Sequence, residues 1–138
     1  MIDFQGSGWA GRDVRQPLVT VVTPSHNQGR FIRRAVDSVL SQDYPRIEYL
    51  VVDGGSTDET VSILREYSDR LRWSSELDRG QASAINKGWR QGRGDILAWL
   101  NSDDTYLPGA ISTAVSYFLR YPDVSAVYGE GCHVDEAG

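Results

Sequence analysis

A single cysteine, Cys132, stands in 138 residues, which excludes an internal disulfide and a cysteine-built zinc site. Nothing in the sequence gives that thiol a cationic partner, so it reads as a bystander. No apolar run approaches the length of a membrane span, and no charged-then-apolar signal peptide opens the chain. Lys and Arg number 14 against 19 Asp and Glu, for a net charge of −5. Without a basic block to meet phosphates along a strand, no nucleic-acid partner is expected. Internal repeats and low-complexity stretches are absent as well. A reducing cytoplasm is the simplest home, with any membrane association left to parts not present here.

What is there is an ordinary globular composition, 40% hydrophobic and 24% charged, in a length that makes one domain with a proper core. Residues 1–16 hold Gly6, Gly8 and Gly11 among polar residues without a period. They read as a flexible leader, with Trp9 in local packing, and the domain runs over residues 17–138. Leu18 to Thr23 is a β-branched run and the first strand, ended by Pro24. In the polar loop that follows, Ser25 or Asn27 is placed to cap a helix turning Phe31, Ile32, Ala35, Val36, Val39 and Leu40 inward. Ile47 to Asp53 is a second strand ending in a carboxylate, and Gly54-Gly55 turns the chain. Ser56-Thr57-Asp58-Glu59 has capping-box spacing, so a second helix begins there and carries Val61, Leu64 and Tyr67 inward.

Leu71 to Ser75 is a weaker third strand. After the polar loop Glu76 to Gln81, a third helix carries Ala82, Ala84, Ile85 and Trp89 and ends near Gly92. Ile96 to Leu100 is five apolar residues without helical spacing, which predicts a strand buried on both faces in the middle of a sheet. Pro108 suits a first helical position, and Ala110, Ile111, Ala114, Val115, Phe118 and Leu119 form an inward stripe. Val124 to Tyr128 is a fifth strand. Trp73, Trp89 and Trp99 read as core or interface aromatics.

Strands and helices in alternation predict an α/β fold, a mostly parallel sheet with helices on both faces and right-handed crossovers. The polar strand ends then share the carboxyl edge, where open α/β sheets bind their ligands. That edge collects Asp53, Asp78, Asp103 and Asp104, with Arg79 and Lys87 nearby. The adjacent carboxylates of Asp103 and Asp104 repel, and something cationic normally settles such a repulsion. A hard divalent cation held by one or two carboxylates and a substrate diphosphate fits this oxygen-only chemistry. From the pair alone, an Asp pair capping the next helix remains equally open.

Four motifs in register carry a resemblance. They are Val21-Val22-Thr23-Pro24-Ser25-His26-Asn27; Val51-Val52-Asp53-Gly54-Gly55-Ser56-Thr57-Asp58; Asp78-Arg79-Gly80-Gln81 with Ala84-Ile85-Asn86-Lys87-Gly88; and Leu100-Asn101-Ser102-Asp103-Asp104 before Pro108-Gly109. From Pro17 to about Gly138 the chain closely resembles the family 2 glycosyltransferases, enzymes of the GT-A fold using nucleotide-sugar donors. The resemblance implies a Rossmann-like nucleotide-binding half in which Pro24, Ser25, His26 and Asn27 border the nucleoside. Asp53 would accept a hydrogen bond from the base, commonly uracil, and would be left unpaired by a base lacking that donor. Its other reading is a helix-entry carboxylate. The loop Asp78 to Gln81, Gly80 included, would lie with Lys87 near the diphosphate or donor sugar, though Lys87 reads equally as an exposed helix residue. Asn101, Ser102 and Asp103 would complete the nucleotide site, with Asp103 and Asp104 holding Mn2+ or Mg2+. One departure is that Asn101 stands where the family's motif has its first Asp. An amide can bond a ribose hydroxyl but carries no charge, so the metal's share falls on Asp103 and Asp104. His26 is expected beside the nucleoside rather than as a base, and His133 is expected to be exposed.

The chemistry implied is inversion at the anomeric carbon by single displacement, with a UDP-sugar as the expected donor. A metal would stabilise the departing diphosphate while a carboxylate base takes the proton of a saccharide, lipid or protein acceptor. No residue here suits that base, which the resemblance puts beyond residue 138. Residues 128–138 look like a strand entering a turn whose return strand is absent. The chain is therefore expected to carry the donor half only, to transfer little sugar by itself, and to self-associate as a homo-oligomer through an open strand edge. Two other classes stay in view. One is a non-catalytic nucleotide-sugar-binding module. The other is a phosphoacceptor receiver domain, which needs an acidic pair after strand one, where this chain has Ser25-His26-Asn27. A dinucleotide oxidoreductase is disfavoured because no glycine-rich turn follows strand one.

Overall fold

The computed structural model describes residues 16–135, so the expected leader with Trp9, apart from Gln16, lies outside the described residues. Strands and helices alternate as β1 (Val19–Ser25), α1 (Ile32–Leu40), β2 (Ile47–Asp53), α2 (Thr60–Arg65), β3 (Arg72–Ser75), α3 (Gln81–Gln91), β4 (Ile96–Trp99) and α4 (Ala110–Arg120). All strand pairs are parallel and the order across the sheet is β3-β2-β1-β4. The order 2-1-3-4-5 of receiver-type doubly wound folds is therefore not the one adopted. No helix among the described residues is long and apolar enough to cross a membrane.

The β-branched residues of β1 bury both faces of that strand. Val19 and Val21, with Tyr49 and Val51 of β2, pack under Ile32, Ala35, Val36 and Val39 of α1, Leu64 of α2 and Ile111 and Val115 of α4. Val22, Leu50 and Val52 face the other way, onto Ala84 and Trp89 of α3. That helix lies close because Gly88 offers no side chain: a Cβ there would come within 2.5 Å of Val22 Cγ1.

On the α3 side a carboxylate is buried near the start of β2. Glu48 Oε2 accepts from the Thr20 hydroxyl and the Arg93 N–H, each at 2.7 Å, and Oε1 accepts from Arg93 Nε at 3.0 Å and Arg72 Nη1 at 3.3 Å. The Thr20 hydroxyl also accepts the Gly94 N–H at 2.9 Å, which ties the end of α3 to the sheet. Removing a charge from water is the largest single influence on Glu48 and raises its pKa. The hydrogen bonds of Arg93 and Thr20 and the charge of Arg93 together outweigh it and hold the carboxyl below its usual range.

Four expectations are corrected. The run Ile96 to Leu100 is not buried on both faces: β4 is an edge strand among the described residues, with Leu97 47% and Trp99 52% exposed, because α3 packs over β1 and β2 and reaches β4 through Trp89. Trp99 stacks edge-on against Trp89 with ring centroids 5.9 Å apart. The expected strand Val124 to Tyr128 does not form, and residues 124–135 are neither helix nor strand. β-branched residues make a strand only beside a row of unpaired N–H and C=O groups, and here the segment pairs with no strand; Tyr128 is 95% exposed. Third, α2 starts at Thr60, not after Ser56: Ser56 turns back to Asp53, and Asp58 accepts the Thr60 N–H at 2.9 Å. Fourth, neither Ser25 nor Asn27 caps α1, and Pro108 precedes α4 by two positions, with Gly109 between.

Because Glu48 is held ionised in the fold, its contribution to stability is complete above the ordinary glutamate value of 4.5 and is lost as pH falls through the lower folded value. Glu48→Gln is expected to be the less stable protein in urea at pH 7. The gap from wild type is expected to narrow as pH falls to about 3.

Candidate functional site

The carboxyl ends of β1 and β4 diverge into different connections, since the chain leaves β1 toward β2 and reaches β4 on the opposite side. Open α/β sheets form a crevice at such a reversal of strand order. A cleft of about 300 Å³ opens there, lined by Pro24, Ser25, His26, Gln28, Gln81, Asn101, Ser102 and Asp103. Pro24 and Ser25 finish β1, His26 and Gln28 enter α1, Gln81 begins α3, and the last three follow β4.

Hydrogen bonds between loops hold this edge in shape. Asn27 takes the left-handed conformation at φ 53°, which asparagine tolerates better than most residues. Its side-chain oxygen accepts the Thr57 N–H at 2.9 Å, and its own N–H donates to Ser56 Oγ at 2.7 Å. The Gln28 N–H donates to Thr60 Oγ1 and the Gly29 N–H to Asp58 Oδ2, each at 2.9 Å. Burial opposes the charge of Asp58, but the hydrogen bonds from Thr60 and Gly29 outweigh it and keep its carboxyl below the usual range. His26 Nδ1 lies 3.2 Å from the Gly54 carbonyl and Nε2 lies 3.3 Å from Asn27 Nδ2. A carbonyl only accepts and an amide N–H only donates, so the pair of contacts assigns the neutral Nδ1–H tautomer and occupies both ring nitrogens.

Asp53 is wholly buried. Its Oδ2 accepts the Gly55 N–H at 3.2 Å, the Ser56 N–H at 2.8 Å and the Ser75 hydroxyl at 2.6 Å, while Oδ1 accepts the Ser56 hydroxyl at 2.5 Å. Three donors from its own chain converge on Oδ2 and one on Oδ1, so the carboxylate is held chiefly by the turn that follows it and by β3.

After β4 the chain is tied to α1 and to itself. Gln81 Nε2 donates to Asn101 Oδ1 at 2.6 Å, and Asn101 Nδ2 donates to Asp104 Oδ2 at 2.9 Å. The Tyr106 N–H donates to Ser38 Oγ at 3.1 Å, and the Tyr106 hydroxyl donates to the Trp99 carbonyl at 3.1 Å. These contacts leave the Asp103 carboxylate without a hydrogen bond or ion pair among the described residues.

Of the residues singled out from sequence, the fold thus brings Pro24, Ser25, His26, Asn101, Ser102 and Asp103 together around one cleft. Others stand outside its lining. Asn27 faces the turn after β2, Asp53 is internal, and Asp104 is held by Asn101. Lys87 is paired with Glu76 and reaches Ser74 Oγ at 3.5 Å, toward β3. Gly80, at φ 99°, takes a conformation that favours glycine and starts α3 so that Gln81 enters the cleft. Gln81 lines the cleft as the last residue of the loop expected near the diphosphate or donor sugar, while Gln28 lines it without having been singled out, since a glutamine in a polar loop carries no signal that separates it from any surface residue. Among the described residues no group of three or more His, Cys, Asp and Glu could hold a metal. Asp103 and its neighbour Asp104 fit a hard cation only in company with a ligand that brings its own oxygens, as magnesium sites on diphosphates do.

Residues 20–135 match the model of glycosyl transferase family 2. The chain belongs to that family. Within it, this family 2 chain is 34% identical over 125 residues to an uncharacterized glycosyltransferase of Rickettsia felis, covering 88% of itself and 21% of the relative. It is 34% identical over 127 residues to a chondroitin synthase of Escherichia coli, covering 90% of itself and 18% of that protein. The chain therefore spans about a fifth of the length of these relatives. Among solved structures, it matches a mannosyltransferase from Pyrobaculum calidifontis in complex with GDP-Man and Mn2+, with a TM-score of 0.70 and 31% identity over 75% of this chain and 32% of the other. The fold also matches TarS of S. aureus in complex with UDP-GlcNAc, with a TM-score of 0.69 at 23% identity, over 85% of this chain and 37% of that one. The architecture is that of GT-A glycosyltransferases.

The two central carboxylates should separate by what their loss does to folding. Asp53→Ala strands buried donors and is expected to lower stability in urea by about 3 kcal/mol. Asp103→Ala removes an exposed, unpartnered group and is expected to change it by less than about 0.5 kcal/mol.

Proposed function

We propose that this chain forms the donor half of a glycosyltransferase that moves a sugar from a nucleoside diphosphate, UDP in the first instance, onto an acceptor hydroxyl with inversion. The observation that carries this reading is the cleft at the β1/β4 reversal, where Asp103 stands unpartnered beside Ser25, Asn101 and Ser102. Structures with this fold accommodate GDP-Man with Mn2+ in one case and UDP-GlcNAc in another, which supports a nucleotide-sugar ligand and leaves uracil and guanine to experiment.

In this reading the nucleoside lies against the end of β1, from Pro24 to Gln28. His26, with contacts from both ring nitrogens, shapes that wall. Asp53 acts mainly by fixing the turn beneath it. Asn101, locked between Gln81 and Asp104, presents a ribose-facing edge and carries no charge. Asp103, with Asp104 next to it, would hold Mn2+ or Mg2+; when bound, such a cation neutralises the diphosphate and stabilises the charge that grows there as the sugar departs. The carboxylate that deprotonates the acceptor is assigned to the additional length that the relatives possess, together with the acceptor surface.

Calorimetry with UDP and with GDP, each with and without Mn2+, tests the reading. Binding is expected to strengthen at least about tenfold with the metal, and Asp103→Ala is expected to abolish that gain. Binding indifferent both to Mn2+ and to Asp103→Ala overturns the assignment.

A further inference from the structure

The turn after β4 is closed twice over. The Asp104 N–H donates to the Asn101 carbonyl at 3.1 Å, and Asn101 Nδ2 donates to Asp104 Oδ2 at 2.9 Å, so the first and fourth residues of the turn are joined through backbone and side chain alike. Between them Ser102 is buried and Asp103 is exposed. The second bond also settles which way two amides face. An ionised carboxylate only accepts, so the Asn101 NH2 is turned to Asp104, its carbonyl oxygen is turned to Gln81, and Gln81 presents its own NH2 at 2.6 Å. Gln81 opens α3 and Asn101 follows β4, so this chain of amides ties one wall of the cleft to another.

An aspartate at position 101 could not do this. Its carboxylate has no N–H to give, and set against Asp104 it would repel. The neutral amide at the head of the motif therefore has a use of its own: it engages Asp104 and leaves Asp103 as the carboxylate that meets the cleft without a hydrogen bond among the described residues. Resting on the donor-site reading above, we infer that Asn101 and Gln81 are positioning residues, a clamp that commits Asp104 to the turn and presents Asp103 as the protein's cation ligand. Of the adjacent pair only Asp103 then touches the cation, and Asp104 acts through a hydrogen bond that needs an acceptor oxygen and not a charge. Gln81 acts one step further back, by holding the Asn101 amide in the orientation that faces Asp104. A lone carboxylate holds a hard cation weakly, so the oxygens of the nucleotide have to complete its shell.

The test is calorimetry of UDP and GDP with and without Mn2+, the ratio of the two dissociation constants measuring the gain that the cation brings. Asp104→Asn keeps an acceptor oxygen for Asn101 and removes the charge, and is expected to hold that gain within about twofold of wild type. Asp104→Ala opens the clamp and Gln81→Met removes the donor to Asn101. Each is expected to cut the gain about fivefold while binding the nucleotide alone as wild type does. Asp104 and Gln81 are exposed, so these variants are expected to stay folded. A loss in Asp104→Asn equal to that in Asp104→Ala or in Asp103→Asn makes the charge what counts and overturns the inference. A wild-type gain in Asp104→Ala or in Gln81→Met overturns it as well. Weaker binding of the metal-free nucleotide by Gln81→Met also overturns it, by assigning Gln81 to the ligand. Each of these results leaves the donor-site reading standing, whereas a wild type that gains nothing from Mn2+ overturns both.

Discussion

β1 is hydrogen-bonded on both sides, to β2 along its whole length and to β4 over Val19 to Val22, and every residue of it is buried. That double pairing decides where the cleft lies. Registers of Ser25 with Asp53 and of Val22 with Trp99 end β1 and β2 together and β4 short of them, so the residues just after β4 come up beside the end of β1 and line the cleft with it. Because the chain proceeds from β1 outward through β2 to β3 and only then crosses to β4, the connections on either side of the β1/β4 seam run in opposite directions. The gap between them is a product of topology, and the residues lining it are whatever the chain places directly after β1 and β4.

The polar groups at that edge divide into those that hold the loops and those left for a ligand. Asp53, Asn27, Asp58 and Thr60 spend their capacity on neighbouring backbone, which fixes the floor of the site without touching what lies above it. Asp103 and Ser25 do the reverse: one is a carboxylate without a partner, the other a buried hydroxyl without one. Their pairing suggests a ligand with two unlike ends, a charged part that tolerates a carboxylate only through a cation and a neutral part that seeks a hydrogen bond. A nucleoside diphosphate has that polarity.

Much of this could be read from the chain itself because parallel α/β folds write their layout in local patterns. The β-branched runs of β1 and β2, the stripe of Ile32, Ala35, Val36 and Val39, and the polar residues after each strand gave the sheet, its covering helix and the edge of the site. What could not be read depended on distant neighbours. The apolar run of β4 looks the same whether a helix covers both its faces or one, and α3 reaches β4 only with Trp89, leaving Leu97 and half of Trp99 exposed. Val124 to Tyr128 has strand composition yet pairs with no strand among the described residues. Ser56 sits at capping-box spacing, yet a buried carboxylate three residues earlier outcompetes the helix for its hydroxyl. Lys87 turned toward Glu76 for a similar reason, since an ion pair formed through folding is invisible in sequence order.

The proposed donor site depends on one placement, a cation and a diphosphate at the β1/β4 seam beside Asp103. Paramagnetic broadening of amide resonances by substoichiometric Mn2+, in the presence of UDP or GDP, locates that cation directly. Loss of signal is expected to centre on Ser102 and Asp103 and to extend to Ser25 and Gln81, with α2 and residues 124–135 unaffected. Broadening centred on another acidic stretch, such as Glu130 to Asp135, or none that depends on the nucleotide, would contradict it.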